Sequence, residues 1–131
     1  MDEKELWNRA VKAREHSYSP YSGFAVGAAL LCDDGTVFTG CNIENAAYGP
    51  TNCAERTAFF SAVAAGHRKF RAIAVAGGTG STLKACYPCG VCRQVMAEFC
   101  ERDTFQIVCG KSADKLEILT LAEILPKGFV L

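Results

Sequence analysis

Two short segments, Cys53-Ala54-Glu55-Arg56 and Pro88-Cys89-Gly90-Val91-Cys92, carry the residue types best suited to chemistry. Three thiolates can hold a tetrahedral Zn²⁺ and leave its fourth position to water, the arrangement of a catalytic rather than a structural zinc. A carboxylate two residues from one ligand is placed to move protons to and from that water. Both segments fall where the apolar pattern starts a helix, and exposed N–H groups at a helix N-terminus favour thiolates. Cys89 and Cys92, at i and i+3, share a helix face. Two such helix starts facing each other bring three sulfurs around one ion, each at about 2.3 Å.

Each of these residues also has a plainer reading. Cys89-x-x-Cys92 alone reads equally well as a thioredoxin-like redox pair; the Cys-x-Glu segment tips it towards zinc. Cys86-Tyr87-Pro88-Cys89 is a second Cys-x-x-Cys, with Cys86 in the loop before the helix. Glu55 sits three residues after Asn52, so the two could form a capping-box-like pair at a helix start. A carboxylate packed beside a thiolate-ligated metal serves chemistry better. Arg56 is ordinarily a solvated helix arginine. Here three thiolates and Zn²⁺ leave a net negative centre, and a guanidinium donating to a ligand sulfur offsets it. His16 and His67, the two histidines, lie away from both motifs and read as surface or helix-end residues.

The elements that must position these groups follow from periodicity. Residues 2–16 read as a helix with Leu6, Trp7, Ala10, Val11 and Arg14 on one face. Residues 19–23 form a loop, and the segments 24–31 and 37–43 flank Asp33-Asp34-Gly35 as a hairpin. A helix over 53–65 ends at Gly66. A short buried strand over 72–76 and a loop over 77–87 precede a helix over 89–101. Strands over 105–109 and 116–119 and a short helix over 121–125 complete the chain. Alternating strands and helices call for parallel crossovers with helices on both faces of one sheet. Residues 111–115 are too few for a crossover, so the last two strands pair antiparallel. The expected fold is α/β, a three-layer α/β/α sandwich with a mixed five-stranded sheet, built from one domain over residues 1–131.

Composition excludes several classes. Fourteen basic and fourteen acidic side chains give zero net charge with no basic stripe, which argues against a nucleic-acid partner. The start, Met1-Asp2-Glu3-Lys4-Glu5, has no apolar core of a signal peptide, and the run 24–31 is too short for a bilayer, so no membrane partner and a cytoplasmic location are expected. Eight cysteines invite a disulfide scaffold, which fits poorly with a long, core-rich chain without a secretory signal. Cys32, Cys41, Cys100 and Cys109 lie in or beside apolar segments and read as small buried hydrophobes. Gly77, Gly78 and Gly80 lack the lysine-serine/threonine ending of a phosphate loop.

The segments Tyr21–Leu30, Gly40–Tyr48, Cys53–Arg56 and Cys89–Val95, with Leu125-Pro126, resemble small homotetrameric zinc-dependent cytidine deaminases over about residues 18–129. The two metal segments match the His/Cys-x-Glu and Pro-Cys-x-x-Cys signature of zinc nucleobase deaminases, with Cys53 as first ligand. The resemblance implies the same α/β/α fold, one Zn²⁺ per subunit on Cys53, Cys89 and Cys92, and Cys86 as a non-ligand. It implies hydrolysis of cytidine and 2′-deoxycytidine to the uridines and ammonia, in pyrimidine salvage. A zinc-bound hydroxide attacks C4, while Glu55 shuttles protons to N3 and the departing amine. It assigns Asn42 and Glu44 to the ribose hydroxyls, the Phe24 ring to the pyrimidine, and the backbone of Ala54 and Cys89 to the ring's polar edge. It places Ala46, Tyr48 and Phe129 at a neighbour's site in a homotetramer, and Arg56 beside the ligand sulfurs. Without the resemblance, Asn42 and Glu44 read as a turn, Phe24 as core and Phe129 as a frayed end. Tyr87 departs from the small serine usual in the family, so the resemblance does not fix the size of the pocket beside residues 77–87. The alternatives are a deaminase of a modified cytosine nucleoside (blasticidin type), a non-catalytic zinc-binding module and a dithiol oxidoreductase.

Overall fold

Asp2 opens the first helix of the computed structural model, which describes all residues 1–131: its carboxylate accepts the Glu5 N–H at 2.8 Å. Helix α1 (Glu3–Ala13) buries Leu6, Trp7, Ala10 and Ala13, and a 3₁₀ turn (Arg14–His16) follows. Strands β1 (Ala25–Cys32) and β2 (Val37–Cys41) form the expected hairpin, with Gly35 at φ +91° in its turn. Helix α2 (Ala54–Ala64) stops at Gly66, whose φ of +98° suits glycine. Then come β3 (Phe70–Thr79), β4 (Thr82–Lys84), α3 (Gly90–Phe99), β5 (Gln106–Gly110), β6 (Leu116–Thr120) and α4 (Leu121–Ile124). Thr120 and Glu123 cap α4 reciprocally.

The sheet runs β2-β1-β3-β5-β6, with β4 paired to β3. β1 is antiparallel to both neighbours, β3 and β5 are parallel across the α3 crossover, and β5 and β6 are antiparallel as the short connection requires. The period-two alternation along the strands makes two cores. Ala28, Leu30, Ile73, Val75, Ile107 and Cys109 face α2, α3 and α4, packed around Phe59 and Phe105. Ala29, Leu31, Ala72, Ala74, Ala76 and Val108 face α1. The three-layer mixed sandwich is as the sequence implies. Helix α2 runs close over β2: a Cβ on Gly40 would stand 2.5 Å from the Ala54 carbonyl oxygen and 2.5 Å from the Ala58 nitrogen.

Two expectations need correction. Residues 77–87 are not all loop, because β3 runs on to Thr79 and turns through Gly80 (φ +59°) into β4, giving six strands rather than five. Glycines 77 and 78 carry no side chain to show alternation, yet a Cβ on Gly78 would meet the Thr82 carbonyl oxygen at 2.0 Å. Backbone proximity, not apolar pattern, makes this hairpin. Arg14 is not a core-face residue either. Its guanidinium donates to the carbonyls of Ala25 at 2.8 Å and of Gly78 and Gly80 at 3.0 Å, tying α1 to that extra hairpin.

Candidate metal centre and adjoining cleft

Cys53 and Cys89 are the N-cap residues of α2 and α3, both with extended backbone and neither with a side-chain cap bond. Their sulfurs are thus free for other partners. Cys92, in the first turn of α3, is fully buried. The Sγ atoms of Cys53, Cys89 and Cys92 all lie within 4.8 Å of one another, and Cys53 and Cys89 are 3.7 Å apart. A tetrahedral zinc with sulfurs at 2.3 Å has an S···S edge of about 3.8 Å. The donor set therefore fits zinc in element, number and spacing. Arg93 steadies the α3 start, donating from Nε to the Pro88 carbonyl at 2.7 Å and from Nη1 to the Ile124 carbonyl at 2.6 Å.

Arg56 Nη2 donates to Cys53 Sγ at 3.2 Å, the contact that would offset the charge of a three-thiolate centre. A hydrogen bond from the Cys92 thiol, with Arg56 and Cys89 adding, lowers the Cys53 thiol to about 5. Cys92, as the donor in that pair and a buried group, moves the other way. The direction of that shift favours the thiolate at Cys53.

Glu55 is 4% exposed, the one charged side chain in the buried set. The capping-box reading does not hold: Cys53, not Asn52, caps α2, and Asn52 Nδ2 donates to Thr57 Oγ1 at 3.1 Å. Burial raises the Glu55 carboxyl to about 7, the Cys53 thiolate adding and Arg56 opposing. An acid titrating near neutral pH beside a metal-ligand cluster suits proton transfer.

Cys86 lines the same cleft but stands outside the three-sulfur group, and burial pushes its thiol up to about 11. Cys86→Ser is therefore expected to keep its full zinc content by metal analysis. Loss of zinc in that variant would place Cys86 among the ligands.

A cleft of about 240 Å³ joins Cys53, Glu55 and Cys89 to Asn42 and Glu44. Both polar residues are already bonded within the chain. Asn42 Oδ1 accepts the Val26 N–H at 2.9 Å, its Nδ2 donates to the Phe24 carbonyl at 2.8 Å, and the Ser17 hydroxyl also reaches Oδ1. Glu44 accepts from the N–H groups of Tyr21 and Ser22 at 2.9 and 3.1 Å and from the Ser22 hydroxyl at 2.5 Å, which keeps its carboxyl low. Each holds a loop and borders the cleft at once. Ala54, fully buried, stands in the wall of that cleft. The Phe24 ring and Cys86 thiol close over Gly77, where a Cβ would come within 3.0 and 2.9 Å of them.

Ala46 and Tyr48 line a neighbouring hollow of about 410 Å³ that shares Glu44 with the cleft. Phe129 is 66% exposed, with its carbonyl accepting from Gln94 Nε2 at 3.1 Å. The structure brings none of the three to the lining of the chain's own cleft. Sequence reasoning missed the fixing of Tyr87 at the cleft edge: its hydroxyl bonds Glu117 Oε1 at 2.5 Å. That pair depends on how β6 registers against β5, for which the sequence holds no local signal.

Residues 1–109 match the family profile described as the cytidine and deoxycytidylate deaminase zinc-binding region. Cytidine deaminase of Sporosarcina psychrophila is 51% identical over 129 residues, covering 98% of this chain and 92% of that protein. Cytidine deaminase of Halalkalibacterium halodurans is 50% identical, covering 98% and 95%. The crystal structure of cytidine deaminase from Burkholderia pseudomallei superposes with a TM-score of 0.88 at 48% identity, covering 98% of this chain and 100% of that one. That from Mycobacterium tuberculosis gives 0.82 at 37% identity, covering 100% and 99%.

Proposed function

We propose that this chain, which belongs to the zinc-dependent cytidine and deoxycytidylate deaminase family, hydrolyses free cytidine and 2′-deoxycytidine to uridine, 2′-deoxyuridine and ammonia. The observation that carries the reading is Glu55, a buried carboxyl within the cleft that Cys53 and Cys89 line. Cys53, Cys89 and Cys92 would hold zinc, which when bound would supply the Lewis acid that makes water nucleophilic at neutral pH. Arg56 keeps that centre from becoming too anionic. Glu55 takes the proton of the attacking water and gives it to ring N3. It then takes the proton of the new C4 hydroxyl and delivers it to the exocyclic nitrogen, so that C4=O forms as the C4–N bond breaks and ammonia leaves. Asn42 and Glu44 hold the ribose, the loops they already brace being in place to receive it. Loss of the cytidine absorbance band with ammonia release, on adding purified protein, tests the activity. No absorbance change with either nucleoside overturns it.

The 131 residues act as one domain in the cytoplasm, on nucleosides rather than nucleic acid, in a homotetramer with shared sites. No helix is long and apolar enough to cross a membrane. The exposed Tyr48 and Phe129 support the shared site, because neither has a partner surface in its own cleft. Stacking an aromatic on a base is worth about 1–3 kcal/mol. Phe129→Ala is thus expected to lower kcat/KM by roughly tenfold to hundredfold with zinc unchanged. Sedimentation and kinetics on one sample check it; a fully active monomer indifferent to Phe129 overturns the shared site.

A further inference from the structure

A second donor set lies away from the three-sulfur centre. Cys32 at the end of β1, Asp34 in the β1–β2 turn and His67 just past α2 offer a sulfur, a carboxylate oxygen and an imidazole nitrogen within 4.8 Å of one another. The fold aims all three. The Cys32 N–H bonds the Thr36 carbonyl at 2.8 Å, and Asp34 Oδ1 accepts the Thr36 N–H at 3.0 Å, around a turn fixed by Gly35. The His67 N–H bonds the Ala62 carbonyl at 3.0 Å, and its ring lies edge-on to Phe38 with centroids 5.0 Å apart.

Asp34 Oδ2 and His67 Nδ1 stand 3.7 Å apart. That is too long for a hydrogen bond. It is close to the edge of about 3.4 Å expected between nitrogen and oxygen ligands of one tetrahedral zinc, each at about 2.1 Å. One sulfur, one nitrogen and one oxygen leave a fourth position for water. The neighbouring guanidiniums turn their donors elsewhere, Arg68 to the carbonyls of Val63 and His67 and Arg71 to that of Asp33.

We propose that Cys32, Asp34 and His67 form a second, non-catalytic site for a divalent cation of the zinc class, pinning the β1–β2 turn to the end of α2. Mixed sulfur, imidazole and carboxylate ligands suit zinc better than magnesium or calcium. The site lies at the opposite end of α2 from Cys53 and Glu55, so its ion steadies the helix without entering the chemistry.

The test counts metal. Purified protein saturated with Zn²⁺ and desalted is expected to retain about two zinc ions per chain, against the single ion of a one-site chain. His67→Ala and Asp34→Asn alter partly exposed side chains outside the core, and each is expected to retain about one with deaminase activity unchanged. Cys32→Ser is the weaker probe, since Cys32 packs in the core. Heating adds a second reading: excess Zn²⁺ should raise the Tm of the wild-type protein and raise it less in His67→Ala. A wild-type chain holding about one zinc at saturation overturns the proposal. So does an Asp34→Asn/His67→Ala double variant that keeps the second ion. The count stands apart from the activity: if cytidine were not turned over, a two-to-one change in zinc would still identify this site.

Discussion

Glu55→Gln is expected to give a folded, zinc-loaded protein whose turnover falls by at least roughly 10²–10⁴-fold, the range for loss of a general acid–base group. The size of the effect follows from what the amide keeps and what it loses. It keeps the volume of a buried side chain, so Ala54 and the sulfurs stay where they are. It loses the one group in the cleft able to carry a proton near neutral pH. A second, independent reading comes from the zinc-free proteins. Folding raises the Glu55 carboxyl from 4.5 to about 7, so between those values the folded state binds more protons than the unfolded one. Stability from this group is therefore complete below about pH 4.5 and is lost as pH rises through 7. A shift of that size is worth roughly 3 kcal/mol. Metal-free Glu55→Gln should match metal-free wild type near pH 4 and exceed it in stability at pH 8. Near-normal turnover in the variant would return Glu55 to a purely structural role.

The other large effect is expected at the ligands. Serine at Cys53, Cys89 or Cys92 exchanges a thiolate for a poor zinc donor, and should strip most of the metal and abolish turnover. Stability should fall too, because the free energy of zinc binding is available only to the folded chain. Here a bound ion would join the N-terminus of α2 to that of α3, elements from distant parts of the sequence. Chelator-treated wild type is expected to melt close to Cys92→Ser, since both lack the same cross-link. Metal content and calorimetry on the three variants, with Cys86→Ser as control, decide the ligand register. Zinc retained by Cys92→Ser and lost by Cys86→Ser would move it by one Cys-x-x-Cys.

The three-sulfur cluster was legible because its parts are local. Cys53-x-Glu55 and Cys89-x-x-Cys92 each sit at one helix start, where spacing alone fixes relative direction, and apolar periodicity locates those starts. The order of elements announced the sandwich in the same way, since alternating strands and helices need helices on both faces of one sheet. What escaped the sequence depends on long-range closeness. The β3–β4 hairpin is built on glycines that carry no pattern, and Tyr87 meets Glu117 only through sheet register. Arg14 had the spacing of a core residue and instead satisfies three carbonyls of other elements. Cys32 read as a small hydrophobe and packs as one, but its nearness to His67 arises from a turn and a helix end that share no sequence neighbourhood. The double duty of Asn42 and Glu44, bracing loops while bordering the cleft, also appears only once those loops are closed.

Gly40 gives the precision of the metal centre an unexpected origin. Thiolates are soft ligands on rotatable stems, and nothing at the N-terminus of α2 alone would hold Cys53 and Glu55 to the tolerance that proton transfer requires. Where α2 crosses β2, however, two main chains meet at a glycine with only the Thr57 Cβ beside them, and Ala54, Ala58 and Ala62 are fully buried. Such a seat contains no rotamer to absorb an error, so its restoring force is that of backbone against backbone. The helix behaves as a short rigid arm clamped at the sheet, and its tip carries both a sulfur and the carboxylate. Their positions relative to Cys89 are gauged by an absence of atoms at a position that never touches the metal.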